Sequence, residues 1–346
     1  MESAIPEHLR TERVRPRRIP DDYVPPVAAH VARFKPTVSR VITAYLGIQY
    51  CGEEPPTARK ALDWITARFA AAGGPTHWDR SRYLDEANYT NILLVGYWDD
   101  FATFEEWLLR TRPEWTGGSH LPDDLGRFIE VLWPSVAGYE TLFSSLGRAE
   151  GLAVIADGMS GNIQEHAYWG GMRDRIPLSQ TDGMAPAGAA RFIRDGLSIR
   201  VIPNDNLCLI RSGQDWTDAE SAERDMYLKD VEPVLREGMD FLRDEGISVG
   251  CFANRYLTVL HPDGRPTEKT YGMSWWKSLD ALECWAESHP THVAIFVAAM
   301  MYLTRFGAAA KLRLYHEVIV ARADEQFFEY LKCHSRTGML RSVDLG

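Results

Sequence analysis

The sequence predicts an α+β fold: two duplicated split-βαβ halves whose sheets pair into one barrel, flanked by helices. Three observations carry this reading. The pattern Trp98-x-x-Phe101-x-x-Phe104-Glu105-x-Trp107 recurs as Trp276-x-x-Leu279-x-x-Leu282-Glu283-x-Trp285, 178 residues later in a chain of 346. Such internal self-similarity marks a repeated unit. Each half also reads strand, helix, strand, helix, strand, the order of a split βαβ unit. Pairing the two sheets removes exposed edges. Finally, 45% hydrophobic and 25% charged residues exclude disordered and fibrous classes.

Residues 1–40 are rich in Pro and Arg and read as an arm; residues 41–346 read as one domain, with halves at roughly 41–165 and 195–335. Arg10, Arg13, Arg15, Arg17 and Arg18 suit a solvated arm or an interface strap. Val41–Tyr50 has the β-branched and aromatic content of a strand. Thr57 opens a helix with Leu62, Ile65 and Phe69 on one face, closed by Gly73-Gly74. Asn91–Trp98 is a buried type of strand, and Asp100–Leu109 a helix. Ile199–Ile202 and Leu207–Arg211 flank Pro203-Asn204-Asp205-Asn206, a hairpin signal. Thr217 with Glu220 reads as a capping box. It opens a long helix through Val231, Leu235, Met239 and Leu242 to Gly246. The apolar run Val293–Leu303 reads as a buried helix, and Leu312–Val320 as a late strand.

A formal charge of -10 argues against a nucleic-acid or anionic-membrane binder, because phosphate contact needs a basic face. No stretch reaches the ~20 apolar residues expected of a membrane helix. The N-terminal segment has no apolar region of the secretory type. Five scattered cysteines without C-x-x-C suit a reducing cytoplasm. Phosphate-loop, dinucleotide, serine-hydrolase and H-E-x-x-H motifs are all missing from the sequence.

Histidine is therefore the place to look for chemistry. In His289-Pro290-Thr291-His292, Pro290 fits the first helical position, so His292 falls in the first turn of an apolar helix. A neutral imidazole there could bind a metal or haem iron, or simply cap and pack. An H-x-x-H pair could also hold zinc, although a third ligand is not evident nearby. His316 shares a period-two face with Leu312, Leu314, Val318 and Val320, a lone titratable group in an apolar stripe. It reads as a core histidine or as a general acid/base in a dry pocket. Glu140 lies 176 residues earlier, close to the repeat offset, so equivalent strands could deliver the two to one site. Ser212 ends a strand before Gly213, and Arg175 lies in a segment dense in Trp, Tyr and Gly. Trp169 and Trp216 stand near Arg175 and Ser212 in sequence.

With these residues in view, the chain resembles the haem-containing aldoxime dehydratases. The matching segments are HAYWGGMRDRIPLSQTD (166–182), LIRSGQDW (209–216), GMDFLRDEG (238–246), WAESHPTH (285–292), KLRLYHEV (311–318) and HSRTGMLR (334–341), with Gly171 where the resemblance leads one to expect Ser. The resemblance runs over essentially the whole chain. It implies a ferredoxin-like barrel, a homodimer and a noncovalent haem b that is ferrous when active. It implies His292 as the axial ligand to haem iron and Ser212, Arg175 and His316 as the set on the opposite face, with Glu140 supporting His316. The implied reaction converts an aldoxime into a nitrile plus water. A peroxidase or chlorite-dismutase-like activity on the same scaffold, a haem carrier and a zinc hydrolase are the alternatives to test.

Overall fold

In the computed structural model, which describes residues 1–118, 121, 124–167 and 170–345, the β-branched and aromatic stretches become strands. The first set is β1 (Ile42–Cys51), α1 (Pro56–Ala70), β2 (His77–Leu84), β3 (Tyr89–Trp98), α2 (Phe101–Gly117) and β4 (Gly126–Leu132). α1 buries Leu62, Ile65 and Phe69 as its spacing predicts. Asp100 caps α2 by accepting the Thr103 N–H, which satisfies one of the orphan donors of the first turn. Next come β5 (Tyr139–Phe143), the short α3 (Gly171–Arg175), β6 (Arg191–Asp195) and β7 (Ser198–Ile202).

The second set is β8 (Leu207–Asp215), α4 (Ser221–Met226), α5 (Glu232–Glu245), β9 (Cys251–Leu260), β10 (Pro266–Trp276), α6 (Leu279–Ser288), α7 (Pro290–Phe306) and β11 (Arg313–Ala321). β12 (Gln326–Leu331) ends the sheet elements. A π-helical segment, Tyr227–Val231, joins α4 to α5.

The main sheet runs β5-β11-β8-β10-β9-β2-β3-β1-β4-β12-β7-β6. Within it, β4-β1-β3-β2 and β11-β8-β10-β9 repeat one order, joined through β9 and β2. The register repeats too: Trp98 faces Ile42 and Trp276 faces Cys208. The fifth strands cross over. β5 follows the first set in the chain yet pairs with β11, while β12 follows the second yet pairs with β4. The sheet curls around one apolar cluster that unites Tyr45, Tyr97, Trp275, Ile319 and Phe328. The Trp275 ring lies 6.3 Å from that of Tyr45 and 5.0 Å from that of Phe328. The ladder ends at β5 and β6, so hydrogen bonds leave the curled sheet with two edges.

Three expectations need correction. β7 and β8 form no hairpin: β7 pairs with β6 and β12, and β8 with β10 and β11. The turn residues do bend the chain, but Asn204 donates to the Lys277 carbonyl and Asp205 bridges to Ala187. Local turn chemistry does not decide which strands pair. The Thr217–Glu220 box is absent as well; the Asp215 carboxylate takes the Thr217 N–H and the helix begins at Ser221. Finally, α7 is not buried. Only Ala298 and Tyr302 are fully covered, and Val293, Val297, Met300 and Met301 are exposed. The helix packs chiefly on α5 and α6, with Ile295 against Gly238, and so turns one side outward. By length and composition alone, Pro290–Ala309 reaches the size of a membrane span, at 20 residues and mean hydropathy 1.4.

The Glu165 carboxylate holds Ser3, Ala4 and Arg17, and Gln180 holds Leu9 and Thr11.

Candidate active site

Residues opposite one another in an antiparallel pair point to the same side of the sheet. Ser212 of β8 faces His316 of β11, and Glu140 of β5 faces Val318, two residues along from His316. The three side chains therefore share one face, the side covered by α3 and α5–α7. Glu140 arrives there by the strand crossover. Its 176-residue spacing from His316 does not reflect equivalent strands, because the counterpart of β5 is β12.

α3 brings Arg175 to the same place. Its Nε donates to Glu140 Oε2 at 2.6 Å, Nη2 to Oε1 at 3.2 Å, and Nη1 to the Glu165 carbonyl at 2.8 Å. A side-chain carbon at Gly171 would meet Nη1 at 3.0 Å, so the missing side chain gives the guanidinium its room. Both side chains of the pair are at most 2% exposed. Burial alone would raise the Glu140 carboxyl; Arg175 first, and then His316, outweigh it and hold it below the usual carboxylate range.

His316 Nε2 lies 2.9 Å from Glu140 Oε1 and 2.9 Å from Arg175 Nη2. A guanidinium only donates and a carboxylate only accepts, so a protonated Nε2 bonds to Glu140. The Ser212 hydroxyl, half-buried beside the ring, has no hydrogen-bond partner among the described residues. Leu314, in the same stripe, is 37% exposed, so the sheet face is open here. On the inner face, directly behind, Arg211 pairs with Glu317 at 3.8 Å. Burial pushes the Glu317 carboxyl up to about 7 against the pull of Arg211.

His292 borders the same apolar cluster from the helix side. Its ring meets Trp285 edge-on at 4.5 Å, and Trp285 packs in one cluster with Ile210, Val318 and Val320. The Ala286 carbonyl takes the Nδ1 proton at 2.9 Å, which assigns the lone pair to Nε2. Burial pushes the imidazole down to about 4, so it is neutral at physiological pH. His289 turns elsewhere, stacked on Phe241 at 4.2 Å and bonded to the Thr291 hydroxyl. Trp216 packs on Tyr227, and Trp169 lies outside the described residues. Sequence reasoning missed Glu165, whose carbonyl steadies Arg175. A loop carbonyl leaves no periodic signal to find.

The profile of the haem-containing dehydratase family matches residues 44–339. The chain belongs to that family. It is 44% identical over 353 residues to aliphatic aldoxime dehydratase of Rhodococcus erythropolis, across 99% of this chain and 98% of that one. It is 30% identical over 333 residues to phenylacetaldoxime dehydratase of Bacillus sp. (strain OxB-1), across 94% of each. A crystal structure of aldoxime dehydratase superposes with a TM-score of 0.95 at 42% identity, covering 100% of both chains. Another, of aldoxime dehydratase in complex with butyraldoxime, gives 0.95 at 43% identity over 99% of this chain and 97% of that one. These relations bear out the resemblance read from the sequence.

The residues of this haem-containing dehydratase fit the group its family carries. Among the described residues no cluster of three or more His, Cys, Asp or Glu could hold a bare ion. A single neutral imidazole suits a metal that brings its own four ring nitrogens. The outward apolar side of α7 and the open stripe at Leu314 and His316 offer the nonpolar surface a porphyrin needs.

Proposed function

We propose that this chain is an aldoxime dehydratase which, with ferrous haem b, turns R–CH=N–OH into R–C≡N and water. One observation carries the reading: Arg175, Glu140 and His316 interlock on one open sheet face beside the Ser212 hydroxyl, which no described residue bonds. The higher identity to the aliphatic enzyme supports aliphatic aldoximes as substrates.

His292 would hold the haem through Nε2, and the absence of C-x-x-C-H from the sequence supports noncovalent attachment. When bound, ferrous haem supplies an open iron position for the oxime nitrogen and electron density for breaking the N–O bond. The protein's part is proton handling, because hydroxide is a poor leaving group. Glu140 holds the Nε2 proton of His316, so Nδ1 is the nitrogen that serves the substrate. As imidazolium, His316 gives the Nδ1 proton to the departing hydroxyl, which leaves as water. Neutral Nδ1 then takes the proton from the CH=N carbon as the nitrile forms. One water leaves, the imidazolium is restored and no net electrons pass. Such acid–base help is worth typically ~10²–10⁴-fold. Ser212 would donate to the oxime oxygen and fix its direction. Arg175 would act one step back from the substrate, keeping Glu140 ionised and in place. That arrangement favours acid–base chemistry over a peroxidase, which would want a distal arginine turned toward the substrate.

We further read the curled sheet as a ferredoxin-like barrel grown by duplication, with residues 1–40 as its arm. The matching strand orders and tryptophan spacing support this. The exposed side of α7 suits cover by haem and by a second subunit of a cytoplasmic homodimer.

The test is the visible spectrum of the reduced holoprotein with and without butyraldoxime, together with nitrile analysis under argon. A Soret band that moves on adding the oxime, with butyronitrile formed, is expected. No Soret band, or peroxide-driven dye oxidation without nitrile, would overturn the reading.

A further inference from the structure

Three consecutive charged residues of α3 are well covered, and each grips a different part of the molecule. Arg175 holds Glu140 of β5. Asp174 accepts the backbone N–H groups of Arg18 and Ile19, at 2.9 and 2.8 Å, and so ties down the arm. Arg173 reaches the opposite way, to α6: Nε and Nη2 donate to Glu283 Oε2 at 3.0 and 2.7 Å. Arg18 adds a bond to the same oxygen at 3.1 Å. The Glu283 side chain is 3% exposed, so this is an interior pair rather than a surface one. One helical turn beyond Glu283, the Ala286 carbonyl holds the Nδ1 proton of His292.

We propose that Arg173 and Glu283 form a positioning pair for His292. The pair anchors α6, and the Ala286 carbonyl then sets the orientation of the ring and its donor strength toward iron. The same five-residue helix places His316 through Arg175 and Glu140. One short turn therefore registers both faces of the haem site against each other. An ordinary buried ion pair would contribute to folding only. A bond to the far nitrogen of a ligating imidazole also tunes the metal, and losing such support typically costs ~10–100-fold in metal affinity or activity.

The inference rests on His292 as the haem ligand, so His292→Ala is measured separately. If that variant kept a normal haem spectrum, the ligand assignment would fall before the pair was tested. Glu283→Gln and Arg173→Lys are then prepared as holoenzymes. Lys keeps the charge of Arg173 but loses its planar fork, so it covers the case in which Glu283→Gln does not fold. Haem loss to excess apomyoglobin should speed up about tenfold or more. The iron–histidine stretching band of the reduced protein should shift, and kcat for butyraldoxime should fall with little change in KM. Unchanged haem loss and an unmoved stretching band, with only a lower Tm, would reduce the pair to a structural role and overturn the proposal.

Discussion

The two sets of strands share one order and one register, yet one is sealed and the other is open. Four residues beyond Ile42 stands Leu46, and four beyond Cys208 stands Ser212. Leu46 faces Ile129 where Ser212 faces His316, and Val131 faces Phe327 where Val318 faces Glu140. Leu46, Ile129 and Phe327 are buried in one cluster under α1 and α2, with Phe69, Trp98, Trp107 and Trp115. The helices differ in the same sense. α2 continues ten residues past Trp107, whereas α6 stops three past Trp285 and the chain restarts at Pro290 with His292 in the new turn. The difference teaches how two sets of strands with one order and register can carry different chemistry on matching faces. Three apolar positions become Ser, His and Glu, the covering helix is broken, and the sealed half keeps the aliphatic and aromatic burial that supports the fold.

The largest effect should come from making the open half more like the sealed one at its centre. His316→Ala should keep the haem spectrum and lower turnover by about 10²–10⁴-fold; a loss under threefold would remove His316 from proton transfer. The reverse exchange, Ile129→His, places a partnerless imidazole in the sealed half. It should cost about 2–4 kcal/mol in urea unfolding, from an unsatisfied polar group and disturbed packing. A change below about half a kcal/mol would show that the first half is not sealed. Ser212→Ala removes one hydrogen bond, so turnover should fall about tenfold with unfolding midpoints unmoved.

The smallest effect concerns pH. His292 is held neutral down to about 4 in the fold, while an unfolded histidine titrates near its ordinary 6.5. Between these values the unfolded chain takes up a proton that the folded chain refuses. The His292 contribution to apoprotein stability should therefore fall as pH falls from about 6.5 to 4, opposite in sign to that of Glu317, and His292→Phe should remove it from the parent's profile. Leu46, Ile129 and Phe327, at the matching positions, do not titrate, so the part of the slope that His292→Phe removes belongs to the open half. An identical slope in the variant would contradict the burial of the ring.

Much of this contrast was readable beforehand. Alternation and helical spacing placed β1, α1, β3 and the start of α2, because one face of each is buried and shows its period. The lone His316 in an apolar stripe was visible for the same reason. Strand exchange was not, since periodicity reports which face is buried and not which neighbour lies beside it. Glu140 was therefore chosen for an offset that does not correspond to equivalent strands. The exposure of α7 was hidden because an apolar run looks alike whether or not the protein covers it. Arg173 left no signal, because a buried ion pair between distant segments has no spacing rule.

The crossing of β5 and β12 has a consequence for how the molecule comes into being. Glu140 cannot meet His316 until a strand finished early in synthesis has waited for one made near the end. Contacts so distant in sequence are late and slow to form. Neither set of strands by itself brings Glu140 and His316 together. A nascent chain released before β11 would carry Glu140, Arg175 and Ser212 without His316, the residue proposed for proton transfer.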